Sequence, residues 1–415
     1  MKKSLIAAAV VAATSLGATY YVGQYTQEQT ELMIAQLNAQ DAGVIAKIVS
    51  YDKTFLSAKA NIELTMDQPD LTSEPVVMVV QSDIKHFPYK AEISSVFSLA
   101  NEELNTEVQA FFGTPTPLTS NDSVNILGQW SGVTTLAAIN YEDQGDNFKS
   151  SPLNFTYQVD LNSMKGESGF DLASLEVNSI YNVKLSELNA KGHFEQIQDT
   201  ALFAYDYKLS LASSEVRSIE GDFDMANMVA RVALSKGNTD TTMASVLSLD
   251  IDDYKIVSEE NLAFSKVGLE VNVDNIDQAS LAALAQLQEN PDNVDETLIQ
   301  QVILQLLNKG VDISISRLAS TTPWGEVDAN VKLTVPADAI NEQVLVNGPQ
   351  SALPVLKGEA KASLPAAMLS VPQVGQNLNM ALIMGILQQN EDKLTLDGAL
   401  QEGVLTVNGK TIPLM

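Results

Sequence analysis

The sequence predicts a mainly β protein of the α+β class: an extended, curved antiparallel β-sheet meander with a few covering helices, preceded by one N-terminal transmembrane helix. Three observations predict it. Apolar and polar residues alternate over many short stretches, which is typical of strands buried on one face. Residues 124–274 contain almost no helical pattern, which argues against parallel βαβ units. A long uncharged segment follows two lysines near the N-terminus.

The N-terminal segment has the length and composition of a membrane anchor. Two lysines precede residues 4–23, which carry no charge, and twenty helical residues span about 30 Å, the hydrocarbon thickness of a bilayer. The lysines should stay cytoplasmic, which makes this a single-pass inner-membrane protein with its body in the periplasm. Tyr20 and Tyr21 would then lie in the interfacial aromatic belt. A cleaved signal peptide, with a passable site at residues 11–13, is the alternative and would give a soluble periplasmic protein.

The segment after this anchor remains compatible with a helix. Residues 24–40 contain no glycine or proline that would break it. We therefore assign residues 1–43 to an N-terminal membrane anchor and helical stalk, and residues 44–415 to a periplasmic β-rich domain. No Pro- or Gly-rich linker divides this body.

Alternation with period two dominates the body from about residue 44. Polar residues separate the apolar ones in five clear stretches, and their connections are short and polar, which predicts antiparallel pairing of successive strands. The C-terminal tail predicts a closing hairpin with its turn near Glu402-Gly403. The apolar members of the five stretches are Phe155, Tyr157, Val159 and Leu161; Leu175, Val177, Tyr181, Val183 and Leu185; Phe203, Tyr205, Tyr207, Leu209 and Leu211; Val267, Leu269, Val271 and Val273; and Val327, Ala329, Val331, Leu333 and Val335.

Helical patterns interrupt the strands at two places. Residues 277–309 carry apolar residues at helical spacing, with Asn293 and Glu296 as a capping pair for a second helix and Lys309-Gly310 as its stop. A Met- and Leu-rich stretch at residues 366–389 predicts a further helical segment.

The composition argues against several classes of function. The chain has 24 basic and 52 acidic residues and a formal net charge of −28, so phosphate backbones repel it and we expect no nucleic-acid binding. It has no cysteine, which excludes disulfides, thiolate nucleophiles, zinc–thiolate sites and iron–sulfur clusters. Two histidines are too few for a histidine-rich metal centre. We expect no cofactor.

No catalytic motif is visible. The sequence lacks a nucleophile elbow, a phosphate-binding glycine loop and a His-Glu-x-x-His metal motif. His86 lies in a polar-aromatic turn, and Asp83, three residues away on an extended chain, should point to the opposite face and cannot orient it as a base. His193 should be a surface residue of a strand. We therefore predict no catalytic, cofactor-binding or metal-binding residue, and expect that the protein is not an enzyme.

Other candidate residues have simpler structural readings. Trp130 and Trp324 should be core plugs or turn covers, although each could mark a ligand surface. Met368, Met380 and Met384 should form helix core against the sheet, with an adaptable apolar groove as the alternative. Three acidic clusters lack the spacing and glycine of a calcium loop. These clusters are Asp222 with Asp224; Asp250 with Asp252 and Asp253; and Asp292 with Asp295 and Glu296.

Several stretches are similar to motifs of one known family. These are residues 1–23; residues 49–64 with Tyr51, Phe55 and Ser57; residues 83–89 with His86 and Pro88; residues 290–335; and residues 398–414. On these stretches the chain resembles the bacterial YdgA-like family of uncharacterised envelope proteins. Lys53-Thr54 stands where that family usually has Arg-Gly, and the glycine of its His-Gly-Pro element is missing. The resemblance implies an inner-membrane, periplasm-facing protein and supplies no active-site residue.

Two hypotheses of function follow from the predicted architecture. A sheet face that few helices can cover would leave an apolar groove, which favours non-enzymatic binding of an apolar, lipid-like ligand or of an envelope protein partner. The alternative is a structural module that self-associates into a homo-oligomer through sheet edges or its N-terminal helix. A hydrolase ranks third, because no nucleophile, base and orienting residue stand together. In each case the lipid bilayer is an expected partner, through the N-terminal helix.

Overall fold

A computed structural model of the chain describes residues 2–39, 43–66, 75–197, 200, 202–257, 261–288, 296–340 and 349–413. These residues form five α-helices and 22 β-strands, and the strands pair antiparallel, which confirms the predicted mainly β fold. The chain divides into two compact units. Unit 1 comprises Met1–Ile180 with Ser186–His193, and unit 2 comprises Tyr181–Leu185 with Phe194–Met415.

Unit 1 is an antiparallel sheet in which neighbours in sequence are mostly neighbours in space. The pairing order is β1–β2–β3–β4–β5–β6–β9–β10, and the short hairpin β7–β8 continues it because β8 also pairs with β10. Its strands are β1 Val44–Lys53, β2 Ser57–Met66, β3 Val76–His86, β4 Lys90–Leu99, β5 Leu118–Asn125, β6 Gln129–Leu136, β7 Asn140–Asp143, β8 Asp146–Ser150, β9 Leu153–Asp160 and β10 Lys165–Asn178. Strand β11, Asn182–Gln196, contributes residues to both units.

Helix α1, Lys2–Ala39, lies against one face of this sheet. Val22 is 1% exposed and belongs to a core cluster whose sheet side includes Ala58, Ala60 and Ala91. Methyl side chains on the sheet let the helix approach closely. The approach is closest at Gly23, because a β-carbon there would lie 2.9 Å from Nδ1 of His86.

Polar contacts fix the direction in which α1 crosses the sheet. Near its C-terminus, Asn38 donates to the carbonyl of Ala46 at 2.9 Å and accepts from the amide of Ala46 at 2.7 Å. Further along β1, the ammonium group of Lys53 donates to Gln24 at 2.7 Å and to Gln27 at 3.0 Å. The helix therefore runs antiparallel to β1, and its N-terminal half continues past the end of that strand.

The predicted N-terminal transmembrane helix is not confirmed among the described residues. The sequence assigns residues 4–23 to the bilayer, but the structure buries Thr19, Val22 and Gly23 against the sheet. Hydropathy cannot separate the two environments, because small uncharged residues suit a close helix–sheet contact as well as a lipid environment. In the part of the chain that the structure describes, no helix is long and apolar enough to cross a membrane.

Helix α2, Glu102–Phe112, connects β4 to β5 and was not predicted. Its start is well defined, because Oδ1 of Asn101 accepts from the amides of Glu103 and Leu104 at 2.9 and 3.1 Å. Gly113 ends it with φ 72°. These capping residues are visible in the sequence. The helix has only three turns, however, and the alternating strand pattern on either side makes it hard to detect.

Unit 2 is also an antiparallel sheet, with longer strands. The order is β12–β13–β14–β15–β16–β17–β18–β20–β21–β22, and β19 pairs with β20. Its strands are β12 Phe203–Ser218, β13 Gly221–Lys236, β14 Thr242–Val257, β15 Asn261–Asp277, β16 Val311–Thr322, β17 Gly325–Val335, β18 Lys357–Pro365, β19 Gln388–Asn390, β20 Lys393–Gln401, β21 Val404–Val407 and β22 Lys410–Pro413. Its helices are α3 Gln278–Gln288, α4 Glu296–Asn308 and α5 Pro372–Ile383, with 3₁₀ turns at Pro349–Ala352 and Ala366–Ser370.

The predicted helices of this unit are confirmed with changed ends. Helices α3 and α4 occupy the predicted region 277–309, whose capping residue Asn293 lies outside the described residues. The segment 366–389 is helical only to Ile383, because Gly385 takes φ 75° and the chain then enters β19. The closing hairpin is confirmed. Glu402 and Gly403, at φ 53° and 72°, form the two-residue turn between β20 and β21.

Candidate functional site

One face of the unit 2 sheet carries a continuous set of apolar side chains, which we call the apolar belt. Residues that pair directly across antiparallel strands share a face, and the register of β12 to β18 aligns three rows of such partners. The rows run across the strands, and only Ser245 among their 21 residues is polar apart from the tyrosine hydroxyls. The middle row is Tyr207, Val232, Leu247, Val271, Ile315, Val331 and Ala360; one flanking row is Tyr205, Leu234, Ser245, Val273, Ile313, Leu333 and Gly358; the other is Leu209, Ala230, Leu249, Leu269, Leu318, Ala329 and Ala362.

The belt is open over much of its length. Its most accessible members are between 36% and 49% exposed, and they are Val232, Leu247, Ile313, Leu318 and Val331. Six steps between strands, each of about 4.8 Å, make the belt about 29 Å long, and three rows make it about 13 Å wide. The product is roughly 400 Å², the size at which an apolar patch on a protein surface is often functional.

Among the described residues, α3 and α4 cover one margin of the belt. Helices α3 and α4 bring Leu281, Ala282, Ala285 and Leu306 onto a core cluster. This cluster includes the fully buried Met243 and reaches the belt through Leu234 and Val273, both in the same flanking row. The other two rows lie outside this cluster.

The opposite face of the same strands is polar and internally paired. Arg231, next to Val232 in β13, donates to both carboxylate oxygens of Asp206 at 2.8 and 2.7 Å. Arg317 of β16 pairs with Asp250 of β14. Hydrogen bonds from Ser316 and Asn272 hold the pKa of Glu270 below its usual value. Because the three rows of the belt contain no charged residue, this part of the sheet has one polar face and one apolar face.

The histidines stand apart from this belt. His86 ends β3 in unit 1 and is buried beneath Gly23 of α1. Asp83 points to the other face of the strand and pairs with Lys59 at 3.4 Å, so it does not orient the imidazole. His193 is exposed on β11. His193 is a surface residue of a strand, as expected, whereas His86, expected in a turn, is the buried last residue of β3.

We expect His86 to make unit 1 sensitive to mild acid. Burial lowers the pKa of its imidazole below 6.5, the nearby Lys53 lowers it further, and the Phe55 backbone partly offsets both. Because the unfolded chain then binds the proton more readily than the folded chain, stability should be complete above pH 6.5 and decline as the pH falls below it. Thermal unfolding of the wild type between pH 7.5 and 5.5 should show this decline. In His86→Gln the decline should be smaller, and equal slopes for the two proteins would contradict the prediction.

The two tryptophans take structural positions. Trp130 packs against the core cluster beneath α1 and makes an edge-on contact with the Tyr157 ring, at 5.4 Å between centroids. Trp324 is half-buried in the turn between β16 and β17, where its amide donates to Oγ1 of Thr322 at 3.2 Å. The first is a core plug and the second a turn cover, as expected.

The acidic clusters that the structure describes are occupied by basic or amide side chains. Arg217 approaches Asp222 at 3.7 Å and Asp224 at 2.5 Å. Asn227 donates to Asp252 at 3.1 Å. Asp292 and Asp295 lie outside the described residues. No group of acidic or histidine side chains within the described ranges could hold a metal ion.

The methionine prediction is wrong for two of its three residues. Met380 of α5, Ile383 at its end and Met384, the residue that caps it, are exposed. Leu378 and Leu382 of the same helix are half-buried. Helical spacing located the stripes, but it could not tell which stripe faces the sheet.

A cavity of about 560 Å³ lies in unit 1. Its lining is mixed, with polar groups such as Asn121, Thr156 and Glu167 beside the apolar Ile93 and Val133. Its wall groups hydrogen bond to one another, for example Ser94 to Asn121 at 3.0 Å.

Comparison with known proteins places the chain in a family. A family model described as "Bacterial protein of unknown function (DUF945)" matches residues 1–415. The chain belongs to this family. No curated protein and no solved structure matches it. The DUF945 match spans both the sheet that α1 covers and the sheet that bears the belt.

Single residues of the belt could be found in the sequence, but the belt itself could not. The alternating stretches at 203–211, 267–273 and 327–335 supply three of its seven strands. Which residues of different strands stand side by side depends on the register, which the sequence does not specify directly.

Proposed function

We propose that this protein binds an apolar chain, such as the acyl chain of a lipid, along the apolar belt of unit 2, without catalysing a reaction. The observation that carries the proposal is the row from Tyr207 to Ala360, which is apolar in all seven strands and partly open to solvent. Contact with a hydrocarbon removes this surface from water, and each methylene that becomes buried contributes about 0.8 kcal/mol.

An acyl chain fits the belt better than a protein surface does. Protein interfaces combine an apolar centre with polar groups that pair with the partner, but the rows of the belt contain no charged residue and no amide side chain. The belt also has the required length. The hydrocarbon core of a bilayer is about 30 Å thick, so one acyl chain measures about 15 Å and the belt exceeds it.

An envelope location supports the same proposal. Residues 4–23 are uncharged after Lys2 and Lys3, and we propose that the N-terminal part of α1 enters the inner membrane, with the body in the periplasm. The likeness to YdgA-like envelope proteins agrees with this location. A protein held at a membrane is close to a source of acyl chains.

Photolabelling can test the proposal on the full-length protein. The probe is palmitic acid with a diazirine near its methyl end, added to the protein in mild detergent and then irradiated. Cross-linked peptides should come from β13 to β17, which carry the exposed belt residues. Unlabelled palmitate should compete with them. Cross-links restricted to α1 would show only detergent-like contact with the anchor and would overturn the proposal.

Self-association is the second candidate function, and one observation favours it. Ile383 is 87% exposed and lies beside Met380 and Met384 on α5, so this helix presents an apolar face to solvent. If copies associate through this face, Ile383→Lys should shift the light-scattering mass of the detergent-solubilised protein from dimer or higher oligomer to monomer. A wild type that is monomeric at micromolar concentration would exclude this candidate.

A further inference from the structure

Four turns lie side by side at one end of the unit 1 sheet. They connect β1 to β2, β3 to β4, β5 to β6 and β9 to β10, and we call them the turn ridge: residues 53–57, 86–90, 125–129 and 160–165. Antiparallel pairing brings these turns to the same end of the strands, because each returns the chain in the same sense.

Hydrogen bonds join the four turns into one surface. The carbonyl of Leu56 accepts from the amide of His86 at 2.8 Å, which joins the first turn to the second. The carbonyl of Tyr89 accepts from the amide of Ile126 at 3.1 Å, which joins the second to the third.

The third and fourth turns are joined twice. The carbonyl of Leu127 accepts from the side-chain amide of Asn162 at 2.7 Å. The carbonyl of Gly128 accepts from the amide of Leu161 at 2.8 Å. Every turn of the ridge is therefore held to its neighbour.

Large apolar side chains project from all four turns. Leu127 is 67% exposed and Leu56 is 62% exposed, although turns in a soluble protein normally carry small polar residues at such positions. The exposed apolar residues of the ridge are Phe55, Leu56, Tyr89, Ile126, Leu127 and Met164. Water is an unfavourable neighbour for each, and their grouping at one end of the sheet indicates a partner with apolar character.

The charges on the ridge contrast with those of the whole chain. The four turn segments contain three lysines and one aspartate, in a chain with 24 basic and 52 acidic residues. The lysines are Lys53, which donates to Gln24 and Gln27, Lys90, which pairs with Glu92 at 2.6 Å, and Lys165. At the other end of the sheet, α2 opens with Glu102 and Glu103. Apolar tips flanked by lysine are typical of protein surfaces that rest in the headgroup region of a membrane.

Helix α1 leads from the ridge toward the uncharged N-terminal segment. Gly23 contacts His86, the residue that begins the second turn, and the helix continues toward its N-terminus from there. Tyr20 and Tyr21, one turn further, are exposed. Tyrosine favours the boundary between hydrocarbon and water, so the helix and the ridge would meet a bilayer at the same level.

We infer that the turn ridge is a membrane-docking surface, which inserts its apolar side chains into the headgroup region of a bilayer. This surface lies in unit 1 and is separate from the acyl-chain site proposed for unit 2. With the ridge docked, the protein contacts the membrane through four turns as well as through the N-terminal helix.

Site-directed spin labelling can measure this docking, because the native chain has no cysteine. Single cysteines replace Leu56, Leu127 and Ile180 in the full-length protein, and each carries a nitroxide. Ile180 is the matched control, because it is 77% exposed and follows the other end of β10. The proteins are reconstituted into vesicles of phosphatidylethanolamine and phosphatidylglycerol, and collisions with oxygen and with a water-soluble nickel complex are compared. Far-UV circular dichroism confirms that each variant is folded.

The labels should report two environments. The measured quantity is the ratio of the collision rate with oxygen to the collision rate with the nickel complex. We expect this ratio to be at least threefold higher at residues 56 and 127 than at residue 180, since oxygen concentrates in lipid and the nickel complex does not. Equal ratios at all three positions would overturn the inference, even if the protein floats with the vesicles. Photolabelling of the belt does not depend on the ridge, so failure here is distinguishable from failure of the proposed function.

Discussion

Leu247→Asp is expected to reduce photolabelling of β13 to β17 by more than tenfold. Leu247 lies in the middle row between Val232 and Val271, and it is 49% exposed, so a carboxylate fits there without disturbing the fold. A bound acyl chain would cover that carboxylate and leave it without a hydrogen-bond partner, which costs several kcal/mol. Each 1.4 kcal/mol lowers the affinity tenfold.

The adjacent residue supplies the control. Ser248 follows Leu247 in β14, points to the polar face, and stands opposite Arg231 and Glu270. Ser248→Asp introduces the same charge on the same strand, and it should leave labelling within about twofold of the wild type. If both variants lose labelling equally, the effect comes from net charge or misfolding and the belt is not the site. Labelling of α1 serves as an internal standard in both.

Val22→Asp is expected to destabilise unit 1 by about 3 kcal/mol or more. Val22 is 1% exposed in the cluster that joins α1 to the sheet, and it packs there among apolar side chains. An unpaired carboxylate at this position must either remain charged in an apolar site or take up a proton, and both choices oppose docking. Leu32→Asp, at an exposed position of the same helix, should change stability by less than about 0.5 kcal/mol.

The two tryptophans allow this measurement to be confined to unit 1. Trp130 belongs to the unit 1 cluster and Trp324 lies in unit 2. In a Trp324→Phe background, urea unfolding followed by fluorescence therefore reports the environment of Trp130 alone. An unchanged midpoint for Val22→Asp would show that α1 does not contribute to the stability of the sheet.

Strands could be predicted from the sequence because a strand buried on one face alternates apolar and polar residues. Tyr205, Tyr207 and Leu209 alternate with Asp206 and Lys208, and the structure places the two sets on opposite faces of β12. The helices were predicted where their apolar spacing runs for several turns. Helix α2 was missed because its capping by Asn101 is a local signal without a long periodic segment behind it.

Features that depend on contacts between distant segments could not be predicted. The burial of Val22 needs the methyl groups of Ala58 and Ala91, which lie in other strands. The turn ridge needs four turns to stand together, and the sequence shows each turn singly. In both cases the local sequence is compatible with either a solvent-exposed or a buried position. The register of the sheet, which places distant residues side by side, determines which one occurs.

The contact of α1 with the sheet would make the protein responsive to membrane thickness. If the N-terminal part of α1 sits in lipid while Val22 and Gly23 are fixed in the sheet core, the helix cannot slide or tilt to accommodate a thinner or thicker bilayer. A mismatch between the lengths of the apolar helix segment and the bilayer core costs a fraction of a kcal/mol per Å. Here that cost would destabilise the contact between α1 and the sheet. Thin membranes would then favour undocking of α1, whereas a flexible linker between helix and sheet would leave the contact unaffected.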